Sequence, residues 1–454
     1  MNLAQSLLDA SERHPDAEAL PGMTYAELRV TAARISGGLA LEPGERLAVV
    51  LDNRVETALL YWATQWGGGV FVPLSWRSSD AELQYCIDDC GARTVLRDGD
   101  PIPEGAEHPG ALDRDDSEPS LMLYTSGTTG MPKGVPRSHR ADRAAALSQA
   151  LQHGYRFGDR TLGVMPLYHT MGIHSLLAMH VLGGCFVSHA RWDAGEALSL
   201  IESERITSLY LAPTLFYDLV HHPRAQEADL SSVETLAYAG AAMPSALVER
   251  CAEVFRPRLF VNHYGSTEIY TFSVHRDQQA KPGCAGRPSL NARLMLDAQG
   301  EILCHMSSEE AFAGYWERPD ADERAIVDGW YRTGDVGHRD QDGDLWIDGR
   351  VDDMIISGGE NIHPLEVEDV LVRHEDVREV AVIGVADERL GQRAVAVVVA
   401  AGDVTPAELD AWCLASERLA RFKRPREYRF VDELPKSASG KILRRMLREP
   451  KGVA

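Results

Sequence analysis

No apolar run in this 454-residue chain reaches the roughly 18 residues that a membrane-spanning helix needs. The opening Met1-Asn-Leu-Ala-Gln-Ser lacks the basic-then-apolar pattern of an export signal, so secretion is not expected. Internal repeats and Gly/Ser linkers are absent as well. Cysteine is sparse, and its seven copies, scattered from Cys86 to Cys413, form an odd number that suits a reducing cytoplasm. Cys86 and Cys90 lie one helical turn apart without a second ligand pair, which makes them packing residues before zinc ligands. Basic residues are outnumbered: 46 Lys+Arg against 68 Asp+Glu leaves a net charge of −22. That acidity argues against nucleic acid or an anionic membrane as the main partner.

What is present describes a soluble globular protein, 44% hydrophobic and 25% charged, too long for one ordinary core. Arg46–Leu51 and Val70–Pro73 read as buried strands around a helix from Val55 to Trp66. Further short apolar runs at Leu162–Met165, Ser208–Leu211, Thr235–Tyr238 and Leu259–Val261 are separated by helical stretches. Strands spaced by helices predict an α/β architecture with parallel sheet covered on both faces. Ligands in such sheets bind at the carboxyl ends of the strands. The texture changes near residue 345. Asp344–Gly349 reads as a strand, and Ser357-Gly-Gly359 breaks the chain. A helix from Pro364 to about Arg373, strands around Val380–Ile383 and Val395–Val399, and a helix from Pro406 to Ser416 follow. That pattern predicts a small α+β unit over 351–454 behind a large unit over 1–350.

The most informative segment is Tyr124-Thr-Ser-Gly-Thr-Thr-Gly-Met-Pro-Lys-Gly134, directly after the strand-like Leu121-Met-Leu123. Its glycines let backbone approach an anion, while Thr125, Ser126, Thr128 and Thr129 offer hydroxyls and Lys133 a point charge. A phosphate cradle is the expectation. It is not a Walker A loop, because no Gly-Lys-[Ser/Thr] follows a glycine at the required spacing.

This stretch resembles the signature loop of the adenylate-forming enzymes: acyl- and aryl-CoA ligases, luciferases and peptide-synthetase adenylation domains. Further segments match that superfamily in order. They are Gly163–Gly172 with His169, Tyr264-Gly-Ser-Thr-Glu268, Tyr331-Arg-Thr-Gly-Asp335, Gly349–Asn361, and Pro435-Lys-Ser-Ala-Ser-Gly-Lys441. Met165-Pro-Leu-Tyr-His169, Val351–His363 and Phe422-Lys-Arg-Pro425 are most similar to bacterial chlorobenzoate–CoA ligases. The resemblance implies a large N-terminal domain of stacked mixed and parallel sheets with helices, and a small mobile α+β C-terminal domain.

It also implies chemistry. A carboxylate attacks the α-phosphorus of ATP, pyrophosphate leaves, and a thiol then takes the acyl group from acyl-AMP. Both reacting partners are anionic, so Mg²⁺, Lys133 and Lys441 would offset their repulsion. The catalytic set expected from the resemblance is Lys441, His169, Lys133 and Glu268. Thr129 and Glu268 would hold Mg²⁺. Nucleotide contacts fall on Thr125, Ser126, Gly127, Thr128, Thr129, Gly130, Lys133, Gly240, Tyr264, Gly265, Ser266, Thr267, Asp335, Arg350 and Lys441. One carboxylate can accept from both ribose hydroxyls, the role implied for Asp335. Asp352 matches the hinge position about which the small domain turns between half-reactions.

Coenzyme A carries a pyrophosphate and a 3′-phosphate. Arg418 to Arg448 holds eleven Lys/Arg against Glu427, Asp432 and Glu433, a run that suits such a ligand. The implied CoA contacts are Arg77, Gly358, Gly359, Phe422, Lys423, Arg424 and Arg426. Leu390 stands where an aromatic is expected to stack on the CoA adenine, which weakens that contact. The acyl pocket would use His169, Met171, Tyr238, Ala239, Gly240, His263, Gly265, Ile269 and Tyr270. Aromatic and thioether walls with small residues suit a compact ring acid, and Tyr270 could offer its hydroxyl to a ring substituent. No lysine or arginine in this set would pair with a second carboxylate. The expected function is ligation of a small aromatic or cyclic acid to CoA. Alternatives are loading of a carrier-protein phosphopantetheine, a fatty acid–CoA ligase, and a silent nucleotide-binding regulator. The oligomeric state stays open, a homodimer among the options.

Overall fold

The computed structural model describes residues 1–125, 131–436 and 442–448. Its first sheet orders the strands Thr94–Arg97, Arg46–Val50, Val70–Pro73, Pro119–Thr125 and Lys133–Ser138. The first four run parallel, and the last returns antiparallel as the second arm of a hairpin. A seven-stranded sheet follows, with Leu259–Tyr264, Thr235–Tyr238, Ser208–Leu211, Arg160–Gly163 and Cys185–Ser188 all parallel. Two short antiparallel strands, Ser273–His275 and Arg287–Pro288, complete its edge.

Parallel strands buried on both faces need helices over each face. Helix Thr170–Leu182 is apolar nearly all round and buried along most of its length, as such a position demands. It joins one core with Leu47, Phe71 and Leu123 of the first sheet and Phe186 of the second. A third sheet is antiparallel, built on Glu301–His305, Trp330–Arg339 and Leu345–Arg350. A fourth, centred on the long hairpin of Val377–Asp387 and Gly391–Ala400, has its own core around Val367, Val382 and Leu409. Among the described residues no strand pair crosses Arg350, and the 3₁₀ turn Val351–Asp353 follows it directly.

Two expected strands differ in extent. The run Leu162–Met165 leaves its sheet at Gly163, because the Asn53 side chain replaces the ladder there. Its amide donates to the carbonyls of Gly163 (3.3 Å) and Met165 (2.6 Å), and its oxygen accepts from the Leu167 amide at 2.9 Å. The strand expected at Leu259–Val261 instead continues to Tyr264, because Asn262, His263 and Tyr264 pair with Ser273–His275. Cys86 and Cys90 pack with Leu83 and Ile87, and burial pushes the Cys86 thiol up to about 12.

Several histidines are built into these cores as neutral rings. His180 accepts from Trp62 Nε1 at 2.7 Å and donates to the Ala19 carbonyl, and His139 accepts from the Leu3 amide. Burial holds His139, His180 and His263 at about 4, below the ordinary 6.5. Below 6.5 the unfolded chain therefore binds protons that the folded one refuses. Stability is full above that value and drains as pH falls toward 4. We expect urea unfolding to lose roughly 1–2 kcal/mol per buried histidine between pH 7 and pH 5. A flat profile over that interval would contradict the neutral assignment.

Candidate active site

The carboxyl ends of the parallel strands gather the expected residues. Thr125 and Lys133 face each other across the hairpin ladder, and Ser126, Gly127, Thr128, Thr129 and Gly130 lie outside the described residues. So does Lys441. Lys133 Nζ sits 4.9 Å from the centre of the Tyr315 ring, and Tyr315 Oη donates to Glu268 Oε1 at 2.7 Å. Burial, with Glu268 beside it, pushes the Tyr315 phenol up, so it remains a donor. Tyr315 thus ties the hairpin lysine to the carboxylate expected to hold Mg²⁺. A hard anionic oxygen with few other demands on it is the donor type that ion prefers.

Glu268 closes a short loop that begins at Tyr264. Ser266 Oγ accepts from the amides of Glu268 (3.2 Å) and Ile269 (3.3 Å), and the Ser266 amide donates to the Ile269 carbonyl. Gly265 is obligatory here, since a Cβ would lie 1.7 Å from the Tyr270 carbonyl oxygen. At the loop's start, Tyr264 Oη donates to Asp335 Oδ2 at 2.7 Å, and Arg350 Nη1 donates to Asp335 Oδ1 at 2.8 Å. Each Asp335 oxygen therefore keeps a lone pair for a ribose hydroxyl. Arg350 also donates to the Thr333 carbonyl, which fixes its fork.

Thr267 is held from behind by a side chain the sequence reading passed over. Arg137, fully buried, donates to the Thr267 carbonyl at 2.9 Å and to Asp142 Oδ1 at 2.6 Å. Asp142 also accepts from Ser120 Oγ and meets His174 Nε2 at 3.1 Å. Burial alone would raise the Asp142 carboxyl, but Arg137 and His174 outweigh it and hold it down to about 2. The available signal was an arginine inside the strand pattern Val135-Pro-Arg-Ser138, with an aspartate five residues on.

On the acyl side, His169 caps helix Thr170–Leu182, its ring accepting from the Met171 amide at 3.3 Å. Met171 and Ala239 share one core with Tyr210 and Tyr270. Gly240 adopts φ +84°, and a Cβ on it would meet Met171 Sδ at 3.6 Å. His263 abuts the same group, 4.7 Å from the Tyr270 ring centre. Tyr238 and Ile269 do not join them. Strand alternation turns the Tyr238 ring to the opposite face, among Leu236 and Phe260, where its hydroxyl donates to Gln278. Ile269 packs with Val135, Phe272 and Tyr331. Tyr210, unforeseen, packs in the cluster where Tyr238 was expected.

The expected CoA contacts are more scattered. Gly358 and Gly359 form the exposed two-residue turn of a hairpin, both at positive φ, with Leu390 packed 3.3 Å from where a Gly358 Cβ would sit. Lys423 is paired with Glu366 at 2.6 Å, and Arg424 with Asp410 at 2.9 Å. Arg77, Phe422 and Arg426 are exposed. Asp352 is exposed in its 3₁₀ turn.

The AMP-binding enzyme family model matches residues 7–316, and the AMP-binding enzyme C-terminal domain matches 366–441. A feruloyl-CoA synthase of an Amycolatopsis species is 35% identical over 93% of this chain and 92% of its own. A 4-chlorobenzoate–CoA ligase of an Arthrobacter species is 33% identical over 98% and 92%. The o-succinylbenzoate CoA synthetase of Bacillus subtilis, solved with its acyl-adenylate, superposes with a TM-score of 0.87 at 28% identity over 98% of both chains. The same enzyme has been solved with ATP and magnesium. No described helix is long and apolar enough to cross a membrane.

The buried Arg137–Asp142 pair gives a direct test of the scaffold. Asp142→Ala strands the guanidinium without its partner, at a cost of about 3–5 kcal/mol in urea unfolding. A loss below about 1 kcal/mol would contradict the pairing.

Proposed function

The chain belongs to the AMP-binding enzyme family as an AMP-forming acid–thiol ligase, and from that premise we propose that it joins a small aromatic or cyclic carboxylic acid to CoA. The observation that carries this reading is the linkage of Lys133, Glu268 and Asp335 through Tyr315 and the Tyr264–Glu268 loop. Lys133 and the hydroxyls of 125–129 hold the leaving phosphates. Asp335, steered by Tyr264 and Arg350, orients the ribose. Glu268 and Thr129 would hold Mg²⁺, which when bound would offset the negative charge of the phosphates. Lys441 stabilises charge building between the acid's carboxylate and the α-phosphoryl group. The unit from 351 onward turns about Asp352, so that Lys441 serves adenylation and the Gly358-Gly359 turn serves thiolation.

A release-of-pyrophosphate screen over benzoates, cinnamates, cycloalkane acids and medium-chain fatty acids tests the substrate class. Preference for the fatty acids would overturn it. A second reading passes the acyl group to a carrier-protein phosphopantetheine. It is favoured by the engagement of Lys423 and Arg424 with carboxylates, which leaves fewer free cations for CoA phosphates. Comparing CoA with loaded carrier protein as acceptor decides between them.

Lys441→Ala should lower adenylation by on the order of 100-fold or more while sparing thioester formation from supplied acyl-AMP. Equal loss of both steps would refute the division of labour. Asp352→Pro, which fixes φ, should impair one half-reaction selectively, and survival of both rates would move the hinge elsewhere.

A further inference from the structure

Five buried residues behind the acyl site form a hydrogen-bonded circuit that begins and ends on Tyr270, with Tyr210 beside it. Its direction follows from a single fact: a backbone carbonyl can only accept. His263 Nε2 lies 3.3 Å from the Tyr270 carbonyl and must carry the proton there. Burial keeps this imidazole neutral, so His263 Nδ1 is a bare acceptor, and His153 Nε2 donates to it at 3.0 Å. His153 is held neutral by the same burial. Its Nδ1 therefore accepts from Tyr155 Oη at 3.2 Å. Tyr155 accepts from Gln149 Nε2 at 3.4 Å, and Gln149 Oε1 accepts from Tyr270 Oη at 2.6 Å. Tyr270 has one phenolic proton, and Gln149 takes it.

That leaves one loose end. Tyr270 Oη also lies 3.3 Å from Tyr210 Oη, a long second contact for a proton that Gln149 already holds at 2.6 Å. Tyr210 accepts that weak contact, and its own proton has no acceptor among the described residues. It sits on strand Ser208–Leu211, in the same packed cluster as Met171, Ala239 and Tyr270. The hydroxyl is fully buried, where an underused polar group is costly.

We propose that Tyr210 is the specificity-determining residue of the acyl site and selects a ring acid bearing a hydroxyl or amino group, which completes the circuit at its open end. This rests on reading the Met171–Ala239–Tyr270 cluster as the acyl pocket. It also transfers the polar contact from Tyr270, whose proton is spent, to Tyr210. A chloro or methyl substituent offers Tyr210 no hydrogen bond and leaves it with the long contact only. Sites built to hydrogen-bond a substrate group discriminate strongly against analogues that lack it.

The test measures kcat/KM for pyrophosphate release with benzoates carrying hydroxyl, amino, chloro, methyl or no substituent. Wild type should prefer hydroxyl or amino acids by roughly tenfold or more, mostly through KM. In Tyr210→Phe the ratio of hydroxylated to methylated acid should collapse toward one. Equal rates for hydroxyl and methyl acids in wild type would overturn the proposal while leaving the ligase reading intact. So would a Tyr210→Phe variant that slows every acid by the same factor. Silence from every acid would overturn the ligase reading and this proposal with it. If Tyr210→Phe melts early, the wild-type panel decides alone.

Discussion

No side chain fits at Gly265, where a Cβ would overlap the carbonyl oxygen of Tyr270, and both halves of the site hang from that close approach. The tight return of backbone between Tyr264 and Tyr270 places a phenol toward Asp335 at one end and a carboxylate toward Tyr315 in the middle. At its far end it delivers Tyr270, ring and carbonyl together, to the acyl side. Any residue but glycine would push the two strands of this turn apart. The Tyr264–Asp335 contact and the Tyr270 ring would then shift together.

The loop is braced from beneath by charge that water does not reach. Arg137 reaches the Thr267 carbonyl only because Asp142 neutralises it, and Asp142 stays ionised because Arg137 and His174 outweigh its burial. His174 in turn lies flat against Tyr270, ring centres 4.1 Å apart. A buried ion pair of this kind adds little net stability over an apolar core, but breaking it is costly, so it specifies one arrangement. The same logic runs through the circuit of histidines and tyrosines around Tyr270, where the Tyr270 carbonyl sets the direction of donation from His263 and His153.

Distance along the chain matters little in this architecture. Parallel strands deliver their carboxyl ends to one side, so Gly163, Leu211, Tyr238 and Tyr264 end at the same edge of the second sheet. The antiparallel third sheet brings Asp335 and Arg350 to the same edge by direct pairing, register partner against register partner. Beyond Arg350 the chain changes sheet and core entirely. The boundary is a break in pairing as well as in composition.

Much of this was legible in the residues themselves. Apolar runs punctuated by glycine and proline located most strands closely, since burial on both faces leaves a strand little choice of composition. The glycines, hydroxyls and carboxylates of the site were legible for a similar reason: phosphate and ribose chemistry admits few substitutes. Tyr238 and Ile269 pack away from the Met171 cluster, which spacing could not foretell because it does not say which face of a strand or loop a side chain takes. Tyr210 and Tyr315 stayed hidden because their partners lie 60 and 47 residues away, out of reach of any local pattern, whereas Arg137 had a local partner in Asp142 but a distant one in Thr267. The sequence by itself determined the family, the order of the elements and the polar groups offered for a nucleotide. Only the tertiary structure decided which face each of three buried tyrosines takes and where its hydroxyl points, because that depends on partners distant in the chain.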